Sequence, residues 1–267
     1  MIKLITLKKS AQLLLMASIV AASQGIIADT RLQIPVIPEK TQVFNNLYIL
    51  HGCDDPVTGS APVFGEVVIF PDGVDSTITV GGEVSNQPFT AFVQNWGNVN
   101  QKIQSNDVFP LEAEKTDKLG NVIGWWGGNG NLSGTYFGLN PFVTGAVFIE
   151  PTSCAISVTF VLAIADVCKL TNLNGFTKET VNLWTPAVGS NYDGSPETND
   201  GYDSPATLKV VRNITGTPAT LTAEAVPANP LPASCGEGVD VVVTPSANQI
   251  NRDMPVTYNG KQAWPLP

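Results

Sequence analysis

Histidine is almost absent from this chain: His51 is the only one in 267 residues. Acid–base catalysis and metal binding lean on imidazole, so any histidine-based triad has one candidate member and a multi-histidine metal site has none. Other signatures are missing too. There is no Gly-x-Ser-x-Gly elbow, no glycine-rich phosphate loop ending in Lys-Ser/Thr, and no His-Glu-x-x-His. Among 23 Asp and Glu residues no spacing singles out a catalytic pair, and the chain reads as non-enzymatic. Charge is scarce, at 14% of residues, with a net balance of −9. That excludes nucleic acid, whose phosphates nothing here would neutralise, and it disfavours anionic lipid surfaces. Beyond the N-terminus no apolar run reaches the roughly 20 residues of a membrane helix. Helical periodicity, internal repeats and close C-x2-C pairs are also wanting.

What is present begins with a targeting pattern. Lys3, Lys8 and Lys9 flank the short apolar stretch Ala11–Ala22, which ends in small residues, as a secretory signal does. Cleavage after Ala22 or Ala28 is expected, with no transmembrane segment left afterwards and a periplasmic or secreted location. Residues 1–28 then form the signal peptide and 29–215 the body. Residues 216–267, punctuated by eight prolines, read as a Pro-rich linker and C-terminal appendage. Cys53, Cys154, Cys168 and Cys235 behind a signal read as two disulfides, with three connectivities open.

The body reads as all-β. Gly (24) and Pro (20) are abundant beside 43% hydrophobic residues. In Cys154–Asp166, Ile156, Val158, Phe160, Leu162 and Ile164 occupy every second position, the period of a half-buried strand. Further candidates are Asn46–Leu50, Glu66–Phe70, Thr77–Val80, Phe89–Val93, Thr144–Ile149, Thr207–Val211 and Val239–Thr244, each bounded by turn residues. Many short strands between turns predict a β-sandwich.

Two loops carry candidate chemistry. In Asn191–Asp203, Asp193, Asp200 and Asp203 gather oxygen ligands with Glu197, and Gly194 and Gly201 permit tight turns, a calcium alternative. The spacing is not that of an EF-hand, and a solvated acidic turn explains it more simply. Trp125–Asn131 is a Gly/Asn-rich loop behind two tryptophans. Trp96, Trp125, Trp126, Trp184 and Trp264 suit core packing or a ligand platform. Adjacent Trp125 and Trp126 would point to opposite faces of a strand, so only one of them could lie fully in the core.

An ordered set of motifs resembles the YcnI-like domain family. It comprises His51-Gly52-Cys53, Glu66–Val74, Trp126-Gly127-Gly128 with Leu132–Tyr136, Val181–Trp184, and Ser204–Leu208, spanning about Leu47–Val211. The resemblance implies an immunoglobulin/fibronectin-like sandwich outside the cytoplasm, associated with copper handling. In that family a mature N-terminal histidine holds copper, with a glutamate and a tryptophan nearby. Here cleavage leaves Ser23 or Asp29 and no second histidine exists, so His51 and Trp184 are the residues left as copper candidates. The resemblance also implies pairing of Cys53 with Cys168, which leaves Cys154 to Cys235. It further implies a strand-end role for His51, hydrogen-bonded to loop backbone.

Two functions follow as expectations. The first is a non-enzymatic binding or accessory protein of the cell envelope, linked to copper. The second is an interaction module that engages an envelope protein or glycan through the aromatic, Gly-rich loop.

Overall fold

Runs of Val, Ile, Thr and Phe cut by Gly, Pro and Asn favour extended backbone over helix, and the chain follows them. The computed structural model describes residues 30–95, 100–185, 189–193, 205–221 and 223–267, in which one α-helix accompanies many strands. The expected all-β sandwich is what forms. A four-stranded sheet runs Arg31–Leu32, Val43–Ile49, Gly138–Thr144, Asn100–Lys102. A five-stranded antiparallel sheet runs Leu111–Thr116, Val122–Gly128, Gly65–Ile69, Ala163–Val167, Val181–Trp184. The third sheet has six strands: Val36–Pro38, Thr207–Val211, Ala155–Val161, Val239–Thr244, Thr77–Val80, Glu83–Ser85.

The alternating segment joins two of these sheets. Ala155–Val161 lies in the six-stranded sheet and continues through Leu162 into Ala163–Val167 of the five-stranded one. Val158, Phe160, Leu162 and Ile164 all enter the main core, where they meet Leu47 and Phe142 of the four-stranded sheet. Two expected strands differ. Phe89–Val93 contains a 3-10 turn, Phe89–Ala91, begun by Pro88, because Phe89 and Phe92 both reach the core from positions three apart. Strand Gly138–Thr144 ends where Thr144–Ile149 was expected to begin, and beyond Thr144 that segment makes only an isolated bridge, Val93 to Ile149.

The C-terminal segment 216–267, expected as an appendage, is woven into the body. Val239–Thr244 pairs in parallel with Ala155–Val161 and antiparallel with Thr77–Val80, and buries Val241 and Val243 in the main core. The following helix Ala247–Asp253, capped by Ser246, and the hairpin Val256–Tyr258/Lys261–Trp264 lie over the outer face of the five-stranded sheet. Ile250, Met254, Val256 and Trp264 there cover Val67, Ile69, Ala165, Val167 and Leu183. That sheet is therefore buried on both faces, which is why Gly65–Ile69 and Val181–Trp184 are buried at every position.

Cys53 bonds Cys168, and Cys154 bonds Cys235, the pairing implied by the resemblance. Two disulfides suit an oxidising, extracytoplasmic compartment. No helix among the described residues is long and apolar enough to cross a membrane.

Candidate functional site

The strand Val122–Gly128 sends its two tryptophans to opposite sides, as alternation requires. Trp125 is sealed in the main core, its ring centroid 4.9 Å from Phe142 and 5.9 Å from Phe70. It offers no surface to a ligand. Trp126 points outward beneath the C-terminal hairpin and meets Tyr258 edge-on at 5.9 Å. Only Trp125 lies in the main core, but Trp126 is covered too, 8% exposed, because the hairpin roofs it.

Between the hairpin and the sheet remains a slot of about 190 Å³. Val67 and Val167 supply sheet residues, Trp126 and Leu111 one wall, and Tyr258 and Trp264 the hairpin side. Gly127 and Gly128 keep the adjoining backbone bare; a Cβ at Gly128 would rest 3.4 Å from Trp126 Cζ3, inside the slot's wall. Trp264 is held in place by a stacked Phe176 at 5.4 Å and by Tyr192 at 5.8 Å. The slot is thus apolar, aromatic on two sides and formed by side chains already fixed in packing, the usual description of a small-ligand seat.

A second cluster lies at the end of the sandwich, around His51. Glu66 and Asp166 sit opposite one another on adjacent strands and both are fully buried. Asp166 Oδ2 accepts from Thr30 Oγ1 at 2.6 Å and from Trp184 Nε1 at 2.8 Å, while Asn140 donates to Glu66 Oε2. His51 packs edge-on to Trp184 at 5.8 Å, its Nδ1 lying 2.6 Å from the Gly52 carbonyl. The structure therefore brings together the two copper candidates; Trp184 Nε1 is spent on Asp166, and His51 turns Nδ1 to the Gly52 carbonyl. Among the described residues no three His, Cys, Asp or Glu side chains converge as metal ligands. The donors do not fit copper, whose preferred nitrogen ligands are represented by one imidazole.

Glu66 and Asp166 were not singled out by the sequence, where each stands at the end of an expected strand. Burial, then the Asp166 charge, raises the Glu66 carboxyl far above the ordinary range, against weaker relief from Asn140 and Lys102. Burial also raises Asp166, opposed by Thr30, Trp184 and His51. A carboxyl with a raised folded-state pKa stabilises the fold when protonated and loses that contribution as pH rises. For Glu66 the contribution is complete below its ordinary value of 4.5 and is lost as pH passes about 8. The melting temperature is expected to drop by about 5 °C or more between pH 6 and pH 9. The Glu66→Gln variant should flatten that profile in differential scanning calorimetry. An equal drop in both proteins would refute this assignment.

Of the calcium candidates, Asp193 accepts from the Gly189 N–H at 2.6 Å within its own turn. Asp200 and Asp203 lie outside the described residues, as do Glu197, Trp96 and the expected signal peptide.

Comparison with known proteins is sparse. No family model matches the chain, and no curated protein matches it. Among solved structures it is similar to the crystal structure of an uncharacterized protein from Nocardia farcinica with an immunoglobulin-like fold. That likeness has 11% identity and a TM-score of 0.32 over 68% of this chain and 97% of the other.

Proposed function

We propose that this chain is a non-enzymatic binding protein of the cell envelope, periplasmic or secreted, whose ligand seat is the aromatic slot under the C-terminal hairpin. One observation carries the reading: the hairpin covers the sheet yet leaves an apolar hollow of about 190 Å³ between Trp126, Tyr258 and Trp264. Close packing leaves few voids larger than a water molecule in a domain, and this one is bordered by aromatic side chains suited to flat or branched apolar groups. The ligand is an apolar moiety, either free or presented on an envelope partner. The Trp126-Gly127-Gly128 segment, where the resemblance also falls, builds the wall.

Titration with the fluorescent apolar probe N-phenyl-1-naphthylamine tests this. Saturable enhancement with micromolar affinity is expected. Gly128→Val, whose added methyls enter the slot beside Trp126, should weaken it about ten-fold, or about 1.4 kcal/mol. Unsaturable binding, or equal affinity for the variant with its melting temperature preserved, would remove the slot as the seat.

A further inference from the structure

Asn129 borders the slot and also a second, more open hollow of about 450 Å³. Loop 106–110 forms one bank of it and loop 129–136 the other. We infer that this hollow is a binding site for a neutral saccharide, at a place distinct from the apolar seat.

The polar groups of the hollow carry the first part of the argument. Asn106, Asn129 and Asn131 each bring a carboxamide with two N–H donors and an acceptor oxygen. Among the described residues none of these three side chains is hydrogen-bonded to protein. Ser133 and Asp107 add a hydroxyl and a carboxylate. Vicinal hydroxyls, each donor and acceptor at once, match such a mixed set, whereas a purely apolar ligand would strand it. No Lys, Arg or His lines the hollow, so it offers nothing to a phosphate, a sulfate or a uronic acid, and Asp107 would repel them.

Tyr136 carries the second part. Its ring stands 69% exposed at the hollow's edge. An aromatic face bears partial negative charge, to which the C–H face of a pyranose presents partial positive charge and apolar area together.

The third part is rigidity. Phe109 is fully buried and its ring lies against the backbone of the opposite bank. A Cβ at Gly127 would fall 2.5 Å from Phe109 Cδ2, and one at Gly130 would fall 2.6 Å from Cδ1. Glycine at both places is therefore what lets the two loops clamp together. The Gly130 N–H donates to Phe64, Leu132 and Val63 exchange both backbone bonds, and the Tyr136 N–H donates to Ser133. Those bonds hold the bank in place, while its side-chain amides remain free for a sugar. Preformed banks also lower the ordering cost of binding.

Chitohexaose, maltohexaose and cellohexaose, titrated separately and followed by backbone amide NMR shifts, test the inference. At least one is expected to bind saturably below millimolar concentration, with shifts centred on 106–107 and 129–136. Tyr136→Ala and Asn131→Ala should each weaken it about ten-fold, and Gly128→Val should leave it unchanged, which separates this site from the slot. Absence of saturable shifts with all three sugars would overturn the inference. So would unchanged affinity in both loop variants, or equal binding of an acetylated, amidated Ser-Ala hexapeptide.

Discussion

Arg212→Met is expected to lower stability by about 3–5 kcal/mol, the range for breaking a buried charged network, and the melting temperature by roughly 10 °C. Arg212 is 3% exposed, and its guanidinium spends its donors on a crowd of acceptors. Nε donates to Ala155 O at 2.6 Å; Nη2 donates to Glu150 O at 2.8 Å and Ser153 O at 3.0 Å; Nη1 donates to Pro230 O at 3.2 Å. Those carbonyls belong to the first residue of the strand Ala155–Val161, to the turn before it and to the Pro-rich stretch leading to Cys235. Buried Glu39 complements the arrangement: its carboxylate accepts from the Ile149 N–H, the Asn213 N–H and Asn229 Nδ2. Methionine fills similar volume but leaves the carbonyls without donors and Glu39 without its neighbouring cation. Arg212→Lys should recover little, since one ammonium cannot span the fork. Urea denaturation measures both variants, and a loss below about 1 kcal/mol for Arg212→Met would show that the network is dispensable.

Removal of the Cys53–Cys168 bond, as the paired Ser variant, is expected to cost roughly 4–5 kcal/mol, because it releases a large loop in the unfolded chain. The two residues are 115 positions apart. The bond also fixes the corner at His51-Gly52-Cys53 to the end of Ala163–Val167. At that corner a Cβ on Gly52 would lie 1.7 Å from the Ala61 carbonyl oxygen, so only glycine lets the two backbones pass this closely. Denaturation of the paired variant, with the Cys154–Cys235 bond kept, gives the number. A variant as stable as the parent would mean that sheet packing alone closes this end of the sandwich.

Much of the fold was legible because its strands obey local rules. Thr77–Val80, Thr207–Val211 and Val239–Thr244 stand where the Val- and Thr-rich runs placed them. Trp125 and Trp126 diverge as alternation demands. What local pattern does not carry is which elements pack over which. The prolines after Gly216 read as a tail, yet Val239–Thr244 lies inside a sheet, a pairing that joins residues far apart in the chain. For the same reason Trp126 and Trp264 were both legible as candidate platform residues, but it was not legible that Trp264 and Tyr258, more than 130 positions away, would close over Trp126. Glu66 and Asp166 escaped notice because each looks like an ordinary polar residue at a strand end until the register sets them opposite one another. His51 was the conspicuous candidate for chemistry, but its imidazole faces the Gly52 carbonyl and the Trp184 edge.

The indole N–H signals of the tryptophans, followed by two-dimensional NMR during titration with N-phenyl-1-naphthylamine, test the central claim most directly. Assignment follows from single Trp→Phe variants. If the slot is the ligand seat, the Trp126 and Trp264 signals shift together and saturably, while those of Trp125 and Trp184, sealed in the main core, stay in place. Shifts confined to Trp125 and Trp184, or no shift at Trp126 and Trp264 at saturating probe, would contradict it.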